Sequence, residues 1–280
     1  MKVGVAGAGV MGAGIALSSI QAGYATLLFD VSESALEKGR AYIQKELDKS
    51  VEKGKIAPEK ASEMLALLKT VSDVAALQAD IIIEAVLENL EVKQVLFREL
   101  ENVNSPDTIL ATNTSSIPIT QIARGLQHPQ RVVGVHFFNP AHIMKLVEII
   151  SGAETDCEVA LKAFRWAESL GKKAVYAADA PGFIVNRVAR HYYVEGLKIL
   201  EEQVASMESI DRLCEASGFK MGPFRLMDLI GVDTNYSVTS SMFTLFGHDA
   251  KFRPSRIQKQ KVDAGHHGRK TGQGFYRYEG

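Results

Sequence analysis

Residues 2–30 read KVGVAGAGVMGAGIALSSIQAGYATLLFD, and this stretch decides how the chain folds. An apolar run at 2–6 is followed by closely spaced glycines, by apolar residues at helical spacing, and by a second apolar run at 26–29 that ends on Asp30. Proteins that bind a dinucleotide at a parallel sheet have a strand, a glycine turn, a helix, a second strand and an acidic residue in this order. The sequence therefore predicts an α/β domain with a doubly wound sheet of the Rossmann type.

Each glycine of the turn has a physical role in such a site. Gly7 allows the tight turn out of the strand, Gly9 lets a pyrophosphate approach the backbone, and Gly12 lets the helix pack closely on the strand. The helix that starts there presents unpaired N–H groups and the positive end of its dipole to phosphate groups. We therefore predict that a dinucleotide is bound by the turn residues Gly7, Gly9, Val10, Met11 and Gly12.

Asp30 predicts which dinucleotide is bound. Its carboxylate lies at the end of the second predicted strand, where it can accept hydrogen bonds from both ribose hydroxyls and would repel a 2′-phosphate. NAD is therefore favoured over NADP as the cofactor. FAD is the alternative, because flavoproteins open with the same glycine pattern.

The composition argues against several other functions. The 280 residues can form two domains, and 32 basic residues against 33 acidic ones suggest neither a nucleic-acid partner nor an anionic membrane. No apolar run approaches the roughly 18 residues of a spanning helix, and the glycine turn lies too near the start for a signal peptide. Cys157 and Cys214 have no paired spacing, which speaks against a disulfide framework or a zinc site. We expect a cytoplasmic protein without a metal.

A helical excursion is predicted between the second and third strands, over about 32–69. A charged helical pattern covers residues 32–55, and Pro58 suits the first turn of a second helix. Most lysines of this segment fit a solvated helix face. Lysines spaced by four on one face, such as Lys49 and Lys53, can also meet the phosphates of a ligand.

Strands alternate with helices again after the excursion, and further strands are predicted at 70–71, 80–86, 108–112, 132–138, 146–150 and 174–177. Polar residues stand near the carboxyl ends of several of these strands, namely Glu84, Glu88, Asn113, Ser115 and His136. Parallel doubly wound sheets bind their ligands at that edge. We therefore expect these five side chains to lie close together.

The pattern changes near residue 182. Beyond the segment Asp179-Ala180-Pro181-Gly182 no convincing strand is predicted, whereas apolar residues recur at helical spacing. We predict a dinucleotide-binding domain over 1–182 and a smaller all-α domain over 183–280.

His136 and Glu148 form the candidate catalytic pair. If the strands at 132–138 and 146–150 form a hairpin centred on His142, the two residues lie directly opposite each other and within contact distance. A histidine oriented by a carboxylate is the usual form of a general base. A purely structural pair in the core is the alternative. A metal site is less favoured because no third ligand has suitable spacing, and Ser115 as a nucleophile lacks an elbow motif.

Six strings give the chain a resemblance to a known family, namely NTSS at 113–116, HFFNP at 136–140, KLVE at 145–148, PGFIVNR at 181–187, MGPF at 221–224 and KTGQGFY at 270–276. In this order, and over nearly the whole chain, they resemble the L-3-hydroxyacyl-CoA dehydrogenases. With no attached hydratase, the chain is similar to their stand-alone bacterial members. The resemblance implies reversible NAD-dependent oxidation of an L-3-hydroxyacyl-CoA to a 3-ketoacyl-CoA.

The resemblance also implies catalytic roles. His136 would be the base and Glu148 its partner, while Ser115, Asn139 and Asn186 would hold the substrate oxygen and the nicotinamide side of the cofactor. Two other functions remain open at this stage. One is a related dehydrogenase of sugar acids such as gulonate, and the other is an NAD-binding protein without turnover, similar to lambda-crystallin.

Further binding roles follow from the resemblance alone. Glu88, Lys93 and Lys270 match positions that contact the cofactor. Lys49 and Lys53 are the candidates for binding the phosphates of CoA. The family also implies a homodimer through the second domain, in which residues 221–230 are strongly apolar.

One position departs from the family pattern. Family members often carry Glu-Gly where this chain has Glu202-Gln203, at the end of the first helix of the second domain. Glycine is favoured just after a helix because it tolerates a positive φ. We therefore expect Gln203 to be mildly strained, or the helix to end differently.

Overall fold

The structure is a computed structural model that describes residues 1–279. The chain divides into two compact units, Met1–Ala180 and a second unit that starts at Pro181. This division lies two residues before the boundary placed at residue 182 from the sequence.

The first unit is built on an eight-stranded sheet with the order β3-β2-β1-β4-β5-β6-β7-β8. Its strands are β1 Lys2–Ala6, β2 Ala25–Phe29, β3 Leu68–Val71, β4 Ile81–Glu84, β5 Ile109–Thr112, β6 Val132–Phe137, β7 Leu146–Ser151 and β8 Lys173–Ala178. All neighbouring strands are parallel except β6 and β7, which pair antiparallel. The first six strands thus have the doubly wound order that the glycine turn predicts, and the predicted fold class is confirmed.

Six α-helices accompany this sheet within the described part of the chain: α1 Val10–Gln21, α2 Glu33–Glu52, α3 Pro58–Ala66, α4 Leu90–Val103, α5 Ile119–Ala123 and α6 Cys157–Ser169. Local sequence signals set where they begin. The side chain of Ser32 accepts the N–H of Ala35 at the start of α2, and Asn89 accepts the N–H of Val92 at the start of α4. Both helices thus begin directly after a residue whose side chain caps an N–H of the first turn.

The first helix of the excursion ends earlier than the sequence predicted. The charged pattern over 32–55 forms α2, but this helix stops at Glu52, and Gly54 then has a φ of +64°. A glycine with positive φ suits the end of a helix because it carries no Cβ. Lys53 therefore lies at the helix end and not within the helical face.

The described part of the second unit is helical, with α7 Val185–Glu201, α8 Met207–Ala216, α9 Pro223–Ile230, α10 Val232–Leu245 and α11 Arg256–Asp263. Its core brings side chains from several of these helices together with Phe275 from the C-terminal segment. The central members are Tyr193, Leu197, Ile210, Phe224, Met227 and Val232. Because Phe224 and Met227 are fully buried in this core, they are not surface residues as the apolar stretch 221–230 suggested.

The backbone of Gln203 is strained, as the sequence predicted. Helix α7 ends at Glu201, and Gln203 has a φ of +57°, a conformation that residues with a Cβ rarely adopt. The glycine common at this position in the family would adopt it without a steric penalty.

Among residues 1–279 no helix combines the length and the apolar character needed to cross a membrane. Cys157 and Cys214 are both free thiols. The described residues also contain no group of three or more histidines, cysteines or acids that could hold a metal ion.

Candidate active site

The β6–β7 hairpin brings His136 and Glu148 together. Their Cα positions are partners in the strand register, as the symmetry of the two numbers about His142 predicts. The distance between His136 Nδ1 and Glu148 Oε2 is 2.7 Å. His136 is 5% exposed and Glu148 is fully buried.

The burial of Glu148 decides the electrostatics of this pair. A carboxylate removed from water is costly unless a donor compensates it, and His136 supplies one. When the carboxylate is ionised, Nδ1 carries the proton and Nε2 of the neutral ring carries the lone pair. The ring of Phe138 packs on the imidazole with 4.5 Å between the ring centroids. The arrangement can therefore accept and return a proton at Nε2.

The glycine turn has the shape that a dinucleotide requires. Gly7 has a φ of +106°, and a Cβ on Gly12 would come within 1.8 Å of the Gly7 carbonyl oxygen. A Cβ on Gly9 would meet no atom within 4 Å, so the backbone at Gly9 faces an open surface. Helix α1 starts at the next residue, which places its unpaired N–H groups at this surface.

Asp30 ties the turn to the end of β2. Its Oδ2 accepts the N–H of Ala8 at 2.9 Å, and its Oδ1 accepts the N–H of Ser32 at 3.0 Å. Each oxygen of a carboxylate can accept a second hydrogen bond, so both remain able to bind a ribose hydroxyl. The residues of this unit therefore fit NAD.

Glu88 and Lys93 form a polar network beneath the loop that carries Ser115. The side chain of Lys93 is only 1% exposed, and its Nζ lies 2.7 Å from Glu84 Oε1 and 3.1 Å from Glu88 Oε2. Glu88 Oε1 in turn accepts the Thr114 hydroxyl at 2.6 Å and the Ser115 N–H at 3.0 Å. In this structure Lys93 thus contacts carboxylates, and its predicted contact with the cofactor stays a prediction.

The charges in this network favour an ionised Glu88. Partial burial on its own would raise the pKa of Glu88. The Lys93 ammonium and the hydrogen bonds from Thr114 and Ser115 outweigh this effect, so the pKa of the carboxyl lies below its ordinary value. Glu88 therefore holds the loop as an anion at neutral pH.

Glu84 belongs to this network, although the sequence assigned it no role. It is fully buried, and its Oε2 accepts the Thr112 hydroxyl at 2.7 Å. The sequence offered one signal for this ion pair: Glu84 ends a wholly apolar strand, and a lysine follows nine residues later. Asn113 adds a second link, because its Oδ1 accepts the N–H of Phe137 at 2.8 Å and so joins the ends of β5 and β6.

The remaining predicted residues lie at the surface or are already paired. Asn139 is exposed in the loop after β6. Lys49 donates to Glu46 Oε1 at 2.6 Å, whereas Lys53 is exposed at the end of α2. In the second unit, Asn186 lies in the first turn of α7, and Lys270 Nζ is 2.7 Å from Asp233 Oδ2.

A dinucleotide turn and a histidine oriented by a carboxylate, in a doubly wound unit followed by a helical unit, define an NAD-dependent dehydrogenase. Residues 2–180 match the 3-hydroxyacyl-CoA dehydrogenase NAD-binding domain, and residues 182–278 match the C-terminal domain of the same family. The chain belongs to the 3-hydroxyacyl-CoA dehydrogenase family.

Individual relatives agree with this assignment. A probable 3-hydroxybutyryl-CoA dehydrogenase of Bacillus subtilis is 41% identical over 99% of this chain and 97% of its own length. A 3-hydroxyadipyl-CoA dehydrogenase of Escherichia coli is 48% identical over 98% of this chain, which spans only 58% of that protein. The crystal structure of (S)-3-hydroxybutyryl-CoA dehydrogenase from Ralstonia eutropha has a TM-score of 0.95 at 36% identity, covering 100% of this chain and 99% of that one.

These matches confirm the predicted family, enzyme class and cofactor. They favour a 3-hydroxyacyl-CoA substrate over the sugar-acid alternative. They leave the roles of the individual site residues as predictions.

Proposed function

We propose that this chain oxidises L-3-hydroxyacyl-CoA reversibly to 3-ketoacyl-CoA with His136 as the general base and Glu148 as the residue that orients it. One observation carries the mechanism. A buried carboxylate lies 2.7 Å from Nδ1 of a nearly buried histidine, on the opposing strand of the same hairpin. This contact directs Nε2 to the proton that has to be moved.

The proton and the hydride leave the substrate separately. NAD, when bound, supplies the acceptor for the hydride from C3. His136 Nε2 removes the proton of the C3 hydroxyl, the carbonyl double bond forms, and the ring becomes an imidazolium. Glu148 stays ionised and stabilises that positive charge. In the reverse direction the imidazolium returns its proton to the oxygen of the ketone.

Ser115 and Asn186 hold the reacting oxygen in this proposal. The backbone N–H of Ser115 donates to Glu88 Oε1 at 3.0 Å, and the hydroxyl makes only a longer contact of 3.5 Å with the same oxygen, so the hydroxyl is the group that Ser115 can turn to the substrate. The carboxamide of Asn186 extends from the first turn of α7. Asn139 and Lys270 are assigned to the cofactor, and Lys53, with Lys49 beside it, to the phosphates of CoA.

We also propose that the chain forms a homodimer through the second unit. The support is a set of large apolar side chains that this unit leaves exposed, at levels of 40% to 70%: Ile184, Val188, Val204, Leu213, Phe219, Leu229, Ile230 and Leu245. Scattered exposed apolar residues are normal, but the second unit has eight of them in about a hundred described residues, whereas the 180 residues of the first unit have nine.

The substrate is an acyl-CoA of short chain length in this proposal. Relatives named for 3-hydroxybutyryl-CoA and for 3-hydroxyadipyl-CoA support it, the second of which carries a carboxylate at the far end of its acyl chain. We place the reaction in the cytoplasm, which two free thiols suit, and in β-oxidation of fatty acids.

The function is tested by following NADH absorbance. Purified protein should oxidise NADH when acetoacetyl-CoA is added, and should form no NADH from gulonate and NAD. Turnover of gulonate without turnover of acetoacetyl-CoA would replace the proposal by the sugar-acid alternative. NAD binding without either reaction would indicate a non-catalytic binding protein.

A further inference from the structure

A single ammonium group binds two backbone carbonyls of the loop between β6 and β7. Lys172 lies in the turn between α6 and β8, and its Nζ donates to the carbonyl oxygen of Ala141 at 2.5 Å and to that of Met144 at 3.0 Å. Both acceptors belong to residues 138–145, which we call the hairpin loop. Lys172 therefore holds this loop at two points that are three residues apart.

The hairpin loop also packs on α1, the helix that starts at the glycine turn. Ala141 is 1% exposed, and a Cβ on Gly14 would lie 3.2 Å from the Cβ of Ala141. Ser18 follows Gly14 by four residues on the same face of α1, and its Oγ lies 3.4 Å from the Ala141 carbonyl oxygen. The carbonyl group of Ala141 thus meets both α1 and the ammonium of Lys172.

Two functional groups depend on where this loop lies. The ring of Phe138 packs on the imidazole of His136, and Asn139, which the proposed function assigns to the cofactor, is the next residue. Pairing of β6 with β7 keeps His136 opposite Glu148 whatever the loop does. A displaced loop would therefore change the packing of the imidazole without breaking its contact with the carboxylate.

The ammonium of Lys172 is well suited to hold the loop. The side chain is half-buried, and this burial lowers the pKa of Lys172 below that of an ordinary lysine. Removing a cation from water is costly unless hydrogen bonds compensate it. The two carbonyl oxygens supply this compensation, and hydrogen bonds with a charged donor are stronger than those between neutral groups.

We propose that Lys172 is a positioning residue for the His136–Glu148 base and acts by holding the hairpin loop on α1. This inference rests on the proposed function, in which His136 is the base. With the loop in place, Phe138 keeps the imidazole in the orientation from which Nε2 reaches the substrate. A misplacement of about 1 Å in such a site can cost about 100-fold in rate.

The test compares three variants at two neighbouring lysines. Lys172→Met removes the donors and should lose about 10- to 100-fold in kcat for reduction of acetoacetyl-CoA. Its Kd for NADH should stay within about threefold of wild type, because the glycine turn and Asp30 do not depend on the loop. Lys172→Arg can donate to both carbonyls and should recover most of the rate. Lys173→Met, at the exposed next residue, should behave as wild type.

Hydrogen exchange reports on the loop without turnover. The N–H groups of Ile143 and Met144 both donate to the Pro140 carbonyl oxygen, at 3.0 Å and 2.9 Å, and exchange only when the loop opens. Peptides that cover residues 138–145 should exchange faster in Lys172→Met than in wild type. The same peptides should exchange as in wild type in Lys172→Arg and Lys173→Met. Peptides from β6 should exchange alike in all four proteins.

Three results would overturn the proposal. They are a wild-type kcat in Lys172→Met, a loss of kcat without faster exchange of the hairpin loop, and faster exchange over the whole first unit with a lowered Tm. The last would show that Lys172 serves folding alone. Failure of wild type to reduce acetoacetyl-CoA would overturn the proposed function instead, and the exchange of the loop would still show whether Lys172 holds it.

Discussion

At the scale of single residues, Asp30 joins the glycine turn to the end of β2. Its carboxylate accepts the N–H groups of Ala8 and Ser32, which fixes it at the end of β2. By the predicted assignment, the ribose hydroxyls of NAD would donate to the same carboxylate, and a 2′-phosphate in that place would be repelled.

The first prediction follows from this geometry. Asp30→Ala should raise KM for NAD roughly 10- to 100-fold, because a hydrogen bond to a charged group contributes about 1.5–3 kcal/mol. The gap between NAD and NADP should narrow at the same time. Steady-state kinetics with both cofactors measure this, and Asp107→Ala at an exposed loop acid is the control. Equal use of NAD and NADP by wild type would refute the assignment.

The second prediction concerns stability and Lys93, whose ammonium is buried between two carboxylates. Lys93→Met leaves Glu84 buried without its cation and should lower the free energy of unfolding by about 3–5 kcal/mol. Urea denaturation measures this loss. Lys60→Met removes a lysine from the exposed pair with Glu63 and should change little. A stable Lys93→Met variant with a raised KM for NAD would show that Lys93 acts on the cofactor alone.

The sequence could not show that Lys93 is buried. Lysine is among the residues least often buried, and its position on α4 next to Glu84 depends on how a helix packs on a distant strand. The pairing of His136 with Glu148 was different. In a hairpin between neighbouring strands, residues at equal distances in sequence from the centre lie opposite each other. Local pairings were therefore predictable, whereas the buried ion network required the tertiary structure.

At the scale of elements, the end of α7 offers a test of backbone strain. Gln203 has a φ of +57°, and a left-handed conformation costs a residue with a Cβ about 1–2 kcal/mol. Gln203→Gly should raise the free energy of unfolding by about 0.5–1 kcal/mol, since glycine loses part of this gain through its greater freedom in the unfolded chain. Thermal and urea unfolding measure it. A lower stability than wild type would mean that contacts of the Gln203 side chain outweigh the strain.

Helix ends and helix faces were predicted unequally well. Caps such as Asn89 are local signals, because a single residue type at the start of a helix provides them. The end of α2 at Glu52 was missed because the charged pattern continues past it to Lys55. Phe224 and Met227 were taken for surface residues, because an apolar stretch alone does not reveal which of its residues face the core of their own unit.

At the scale of the whole molecule, the exposed apolar residues of the second unit predict self-association. Sedimentation at micromolar concentration should give a dimer. Leu213→Asp, which places a charge at a side chain that is 69% exposed in the single chain, should shift the equilibrium to monomer without unfolding the unit. Monomeric wild-type protein under these conditions would contradict the proposed dimer.

In the proposed mechanism Glu148 makes His136 an effective base, and this role fixes how the rate of each reaction direction depends on pH. Oxidation needs the neutral ring, so its kcat/KM should fall as the pH decreases. Reduction needs the imidazolium, so its kcat/KM should fall as the pH increases. A nearby carboxylate stabilises the imidazolium, and its removal should therefore shift both profiles to lower pH.

Glu148→Gln tests this mechanism most directly, because it keeps the size of the side chain and one acceptor oxygen while it removes the negative charge. Both kcat/KM profiles, measured against pH with NADH absorbance, should shift to lower pH and lose rate. His136→Gln, as the reference, should lose about 10²–10⁴-fold in kcat while it still binds NADH. If Glu148→Gln left the rate and both pH profiles unchanged, the pair would be structural and the base would be another residue.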